Sequence, residues 1–131
     1  GVEFATKEEV IKSADFLTLH CPLNEGTKGL INRETLALMK PTAYLINTAR
    51  GGLVDEEAVR AALETGKLAF YAADVVSKEP IATDNPLLGA KNCYLTPHIA
   101  WAPKETRQRL HSINEENIRA FLAGTPQNVI V

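Results

Sequence analysis

The 131 residues include 14 basic and 16 acidic side chains, a formal charge of −2 and 45% hydrophobic residues. This is an ordinary balance for one globular domain with a real core. It argues against a nucleic-acid partner, which wants a clustered basic surface, and no apolar run is long enough to suggest a membrane span or a signal peptide.

The elements follow in chain order. Val2, Glu3 and Phe4 are a short strand or a connection. Thr6 and Glu9 form a capping-box pattern ahead of Val10 and Ile11, which predicts a first helix. An apolar run at 16–21 predicts a strand. Asn32 can cap a helix starting at Arg33, with Ile31 and Leu36 placed as a hydrophobic staple. A second strand is expected at 43–48. Asp55 then caps a helix with Val54 and Val59 as its staple, an apolar face of Val59, Ala62 and Leu63, and Gly66 at its stop. A third strand at 70–76, a loop around Asp84, Asn85 and Pro86, and a fourth strand at 94–96 come next. A long helix begins near Pro103, carries Leu110, Ile113, Ile118, Phe121 and Leu122 on one side, and ends at Gly124 and Pro126.

The first two strand runs are nearly continuous rather than alternating, as in parallel strands buried on both faces. The alternation of helices and strands predicts an α/β fold with a parallel sheet and right-handed crossovers. Cys21 and Cys93 lie far apart and have no metal-binding spacing, so they are expected to be buried thiols in a reducing, cytoplasmic setting.

Ligands of open α/β sheets sit beyond the carboxyl ends of the strands. After the first strand come His20, Cys21 and Pro22; after the second, Asn47, Thr48, Ala49, Arg50, Gly51 and Gly52; after the third, Asp74 and Glu79; after the fourth, His98. One cation, two carboxylates and one imidazole are therefore expected at one sheet edge. A histidine is the natural general acid or base near neutral pH, and a carboxylate beside it favours the imidazolium and fixes the ring. An arginine can grip a carboxylate with two prongs and polarise a carbonyl. Such a set suits reduction of a 2-keto acid, given a hydride donor.

The segments INTARGGLVDEEAV (46–59), DVVSKEP (74–80), LTPHIAW (95–101) and LHCPLNEGTKGLIN (19–32) resemble the NAD-dependent D-2-hydroxyacid dehydrogenase family. The HIAW ending and AFLAGTPQNV (120–129) are most similar to its glycerate dehydrogenase, or hydroxypyruvate reductase, branch. The resemblance covers nearly the whole chain. It implies a Rossmann-like parallel sheet: the second half of a dinucleotide-binding domain over residues 1–102, then a C-terminal helix and tail over 103–131 that pack back on a substrate domain. It implies that Arg50 binds the substrate carboxylate and carbonyl, that His98 passes the proton, and that Glu79 pairs with His98 and raises its pKa. Cofactor contacts would fall on Cys21, Pro22, Thr27, Thr48, Ala49, Arg50 and Asp74, with Asp74 meeting the nicotinamide amide. NAD is the implied cofactor, with NADP also compatible, and the substrate is a small 2-hydroxy or 2-keto acid. Ile99, Ala100 and Trp101 would shield the proton transfer.

Two departures stand out. Phe70 and Tyr71 are bulky where the family tends to have small residues. No GxGxxG phosphate loop occurs, and Gly51–Gly52 is a turn rather than that loop. The chain therefore reads as a fragment, inactive alone, whose 127–131 tail lacks its packing partner. A half-sheet with an open edge and an apolar face is expected to self-associate, most simply as a homodimer. The alternatives are a non-catalytic binding or regulatory protein of the same fold, as in the family's corepressor branch, and a self-associating folding unit.

A lone histidine in an apolar setting is more often structural than catalytic. For His98 the accompanying motifs reverse that, whereas His20 reads as a loop-ordering residue and His111 as a solvated one.

Overall fold

In a computed structural model that describes residues 1–130, helix α1 (Lys7–Ser13) starts at the predicted capping box: Thr6 accepts from the Glu9 N–H, and the Glu9 carboxylate accepts in return from the Thr6 N–H. Helix α2 (Arg33–Leu38) is capped by Asn32, whose Oδ1 accepts from the Glu34 and Thr35 N–H groups. Thr35 completes this box, receiving the Asn32 N–H on its hydroxyl at 2.8 Å. Helix α3 (Glu56–Glu64) is capped by Asp55, which accepts from the Ala58 N–H at 3.0 Å. Its predicted staple pair, Val54 and Val59, is buried. Gly66 follows with φ of +72°, the left-handed conformation that ends a helix cheaply only without a Cβ.

Four strands form one parallel sheet in the order β1 (Phe16–Leu19), β2 (Tyr44–Asn47), β3 (Phe70–Ala73), β4 (Cys93–Leu95). Each of the first three is shorter than its apolar run, because the ends peel away into the loops of the carboxyl edge. Residues 2–4 form a connection rather than a strand. Helices α2 and α3 provide the crossovers between the first three strands, while the β3–β4 connection contains no helix.

Burial alternates along the strands. Leu17, Leu19, Leu45, Asn47, Tyr71 and Ala73 point into a single core shared with Ile11 of α1, Leu36 of α2 and Ala58, Val59, Ala62 and Leu63 of α3. The opposite face leaves Phe16, Tyr44 and Tyr94 exposed. The expectation of strands buried on both faces is thus corrected: within the first 98 residues helices α1, α2 and α3 cover one face only. On the open face Phe16, Tyr44 and Phe70 share a register row, with ring centroids 5.2 and 5.4 Å apart. That spacing favours aromatic contact and partly shields the row. The bulk of Tyr71 has a different use, since its ring fills the core. Burial pushes the pKa of its hydroxyl well above the usual tyrosine range, partly offset by a hydrogen bond from Asn47.

The two cysteines are free and half-buried rather than buried. Burial pushes the Cys93 thiol up to about 11, which keeps it protonated and unreactive.

The chain divides into two units, Gly1–His98 and one beginning at Ile99. The second contains α4 (Lys104–Leu122), which follows Pro103 and has no buried residue. Its predicted apolar side is exposed, Phe121 and Leu122 most of all. Gly124, with φ of +74°, ends it, and the Asn128 amide reaches back to Asn117 at 2.9 Å. Val131, the last residue of the tail, lies outside the described residues.

A one-faced core makes a measurable contrast. Leu45→Ala should cost about 2–5 kcal/mol in urea denaturation of the chain. Phe16→Ser, on the open face, should cost roughly 0.5–1.5 kcal/mol, the worth of its aromatic contact. Equal losses would contradict the assignment of the two faces.

Candidate active site

The carboxyl edge is organised from β2 outward. Asn47, the last residue of β2, is fully buried. Its Nδ2 donates to the Arg50 carbonyl at 3.0 Å, and its Oδ1 accepts from the Ala49 N–H at 3.1 Å. One side chain thereby shapes the Thr48–Ala49–Arg50 turn. A short 3₁₀ helix (Gly51–Leu53) follows immediately. Both glycines are there for close approach. A Cβ on Gly51 would fall 1.9 Å from the Val76 carbonyl carbon and 2.4 Å from the Ser77 nitrogen, and one on Gly52 would fall 2.9 Å from Leu23 Cδ2. The Arg50 turn is therefore pressed against the loop that follows β1 on one side and the loop that follows β3 on the other.

Between the turn and the β1 loop lies an open cleft of about 730 Å³, lined by His20, Cys21, Pro22, Leu23, Thr48, Ala49 and Arg50. Its size is that of a small-molecule site. Thr27 does not line it. Its hydroxyl donates to the Pro22 carbonyl at 2.6 Å and accepts from the Asn24 N–H at 2.9 Å, so it braces the turn that presents Cys21 and Pro22. The His20 ring meets the Thr18 hydroxyl through Nε2 at 2.9 Å, which orders the loop start as the sequence suggests. Arg50 is exposed, with one guanidinium nitrogen on the Ala49 carbonyl at 2.7 Å.

The edge continues across β3 and β4. The Asp74 N–H donates to the Asn47 carbonyl at 3.0 Å and the Thr96 N–H to the Ala73 carbonyl at 2.9 Å, extending the ladder past the strands. Asp74 is buried, and its carboxylate accepts from the Thr96 hydroxyl. Two residues later the backbone turns sharply. His98 has φ of +53°, a left-handed conformation uncommon outside glycine, and its N–H donates to the Thr96 carbonyl at 3.0 Å. Strain of this kind persists where surrounding contacts over-determine it, and it collects at functional sites.

That turn aims the ring at Glu79. His98 Nδ1 lies 2.6 Å from Glu79 Oε2, while Glu79 Oε1 accepts from the Val76 N–H at 3.2 Å. The bond from His98 is the main cause that holds the Glu79 carboxyl below its ordinary range; burial opposes it and the Val76 N–H assists.

Of the residues expected to act, Glu79 and His98 are in direct contact. Cys21, Pro22, Thr48, Ala49 and Arg50 share the cleft, while Asp74 sits on the adjoining strand end with Thr96. Sequence reasoning placed Asn47 and Gly51 at this edge without their contacts, and it did not single out Glu56 or Thr96, which act through bonds 21 to 29 residues away along the chain. A polar residue closing an apolar run, as Asn47 and Thr96 do, is the one hint available.

Residues 1–100 match the profile of the D-isomer specific 2-hydroxyacid dehydrogenase NAD-binding domain. The chain belongs to this family. It is 50% identical over 123 residues to a hydroxypyruvate reductase of Blautia hydrogenotrophica, covering 94% of this chain and 38% of that protein. It is 47% identical over 125 residues to a glycerate dehydrogenase of Methylorubrum extorquens, covering 94% and 40%. Among solved structures, an acyclic imino acid reductase in complex with NADPH and D-Arg superposes with a TM-score of 0.86 at 37% identity, covering 97% of this chain and 40% of that one. The chain thus spans about two fifths of the length of these relatives. The fold is that of a Rossmann-like NAD-binding domain, as the sequence motifs imply.

The site residues fit NAD at the sheet edge. The cleft offers apolar walls at Pro22 and Leu23 and polar groups at Thr48 and Arg50.

The depressed Glu79 group has a pH signature. A carboxyl whose folded value lies below its unfolded value of 4.5 contributes stability that is complete above that pH and is lost as pH falls through the folded value. Melting temperatures recorded from neutral pH downward should therefore fall less steeply below about pH 4.5 in Glu79→Gln than in the parent. The difference should be small, because both partners are more than a third exposed. Parallel curves would show that the pair contributes nothing.

Proposed function

We propose that this chain is the catalytic half of the cofactor domain of an NAD-dependent D-2-hydroxyacid dehydrogenase, acting on a small 2-keto or 2-hydroxy acid of the hydroxypyruvate or glyoxylate type. The observation that carries the reading is the His98–Glu79 pair, held at 2.6 Å by a strained turn at a strand end. Bound NAD(H) supplies or accepts the hydride. Cys21, Pro22, Thr48, Ala49 and Asp74 hold the cofactor, with Asp74 on the nicotinamide amide.

The chain's residues then divide the remaining work. Arg50 leaves its own turn carbonyl to grip the substrate carboxylate and polarise the keto oxygen, a task for a planar fork of donors. His98 Nε2 gives its proton to that oxygen in reduction and removes it in oxidation. Glu79 stabilises the charged ring through Nδ1 and fixes which nitrogen faces the substrate. It keeps its own proton off, as its depressed value requires. The names of the relatives support substrates of this class: one is a hydroxypyruvate reductase and one a glycerate dehydrogenase.

The test is kinetic and uses the whole protein, with NADH and hydroxypyruvate. His98→Ala should lower kcat by about 10²- to 10⁴-fold while NADH binding holds. Arg50→Gln should act mainly on the KM of the keto acid. A His98→Ala enzyme that loses turnover and NADH affinity in equal measure would rule out the acid–base role.

A further inference from the structure

The proposed reaction leaves one buried charge unused. Glu56 opens α3 and is buried, whereas its neighbour Glu57 is exposed. A buried carboxylate is costly unless its oxygens are satisfied. All three donors to Glu56 come from the connection between β3 and β4. Oε1 accepts from the Ser77 N–H at 2.7 Å, and Oε2 accepts from the Ser77 hydroxyl at 2.7 Å and from Asn85 Nδ2 at 2.9 Å. Asn85 uses its other end on the Leu87 N–H at 2.9 Å, and Leu87 is a core residue.

That connection has no helix to hold it. It carries Glu79 two residues beyond Ser77, and the Val76 N–H just before Ser77 is the backbone donor to Glu79 Oε1. The same Val76–Ser77 peptide bears the Gly51 contact. The route from Glu56 to His98 is thus short and continuous: Glu56 to Ser77, the 76–77 backbone to Glu79, and Glu79 to the ring.

We propose that Glu56 is a positioning residue that fixes the Glu79 carboxylate against His98 by clamping Ser77, an inference that rests on the role given to that pair above. The energetics favour a carboxylate over a neutral acceptor. Three donors converge on two oxygens, and charge-assisted bonds of this kind are roughly twice as strong as neutral ones. Glutamine would keep one acceptor and turn a donor toward Asn85 Nδ2.

Three variants of the whole protein test it. Glu56→Gln should lower kcat on the order of 10- to 100-fold with little change in the KM for NADH, as small misplacements at a remote support do. It should also move the pH profile of kcat/KM toward that of Glu79→Gln. The double variant E56Q/N85D restores an acceptor opposite the new amide and should recover most of the loss. Val59→Ala, in the core of the same helix, lowers stability without touching Ser77 and should leave the profile in place. Should Glu56→Gln fail to fold, Ser77→Ala removes one clamp bond at lower cost and should shift the profile the same way.

In the whole protein without substrate the ¹⁵N signals of the His98 ring report the pair without turnover. Glu56→Gln should move them toward their Glu79→Gln positions, and Val59→Ala should not. Moved ring signals with unchanged rates would uphold the positioning role and defeat the proposed chemistry. Unmoved ring signals and an unmoved profile in folded Glu56→Gln would overturn the positioning role itself.

Discussion

The site depends on one steric constraint, the absence of a side chain at Gly51. The Val76–Ser77 peptide occupies the space a Cβ would need, with the nearest atom 1.9 Å from that position. No adjustment of a flexible side chain can relieve such an overlap, because the neighbour is backbone. Through this contact the turn that bears Arg50 and the loop that bears Glu79 become one surface. Gly52 does the same toward Leu23 and the loop after β1. Three segments far apart in sequence are brought to one edge by two missing side chains.

Hydrogen bonds then fix the direction of each segment. Asn47 lies at the buried end of β2 and spends both ends of its amide on the Arg50 turn. Breaking either bond would leave a buried donor or acceptor without a partner, which costs more than a surface bond returns. Glu56 serves the next loop in the same way. The strained turn at His98 is held by the ladder bond of Thr96 behind it and by Glu79 in front. These bonds fix the backbone of each segment, while the side chains of Arg50, Glu79 and His98, which the proposed reaction uses, remain exposed.

The open sheet face tells a complementary story. The helices α1, α2 and α3 all contribute to a core on one side. The other side is apolar in composition yet exposed at Phe16, Tyr44 and Tyr94. Strand runs that read as buried on both faces thus carry one apolar face that α1, α2 and α3 leave uncovered.

Local signals were readable where the physics is local. Thr6, Asn32 and Asp55 cap their helices because a side-chain oxygen three residues or fewer from an unpaired N–H needs no tertiary help. The order of helices and strands follows from hydrophobic runs and their breaks, and the motifs around Arg50, Glu79 and His98 were legible as a resemblance. Tertiary structure decided the rest. It chose which sheet face is buried, which of two adjacent glutamates goes inside, why Gly51 must be glycine, and that His98 adopts a left-handed backbone. Each of these depends on atoms brought together from distant parts of the chain, and a one-dimensional pattern records no such contact until the sheet has aligned the strand ends.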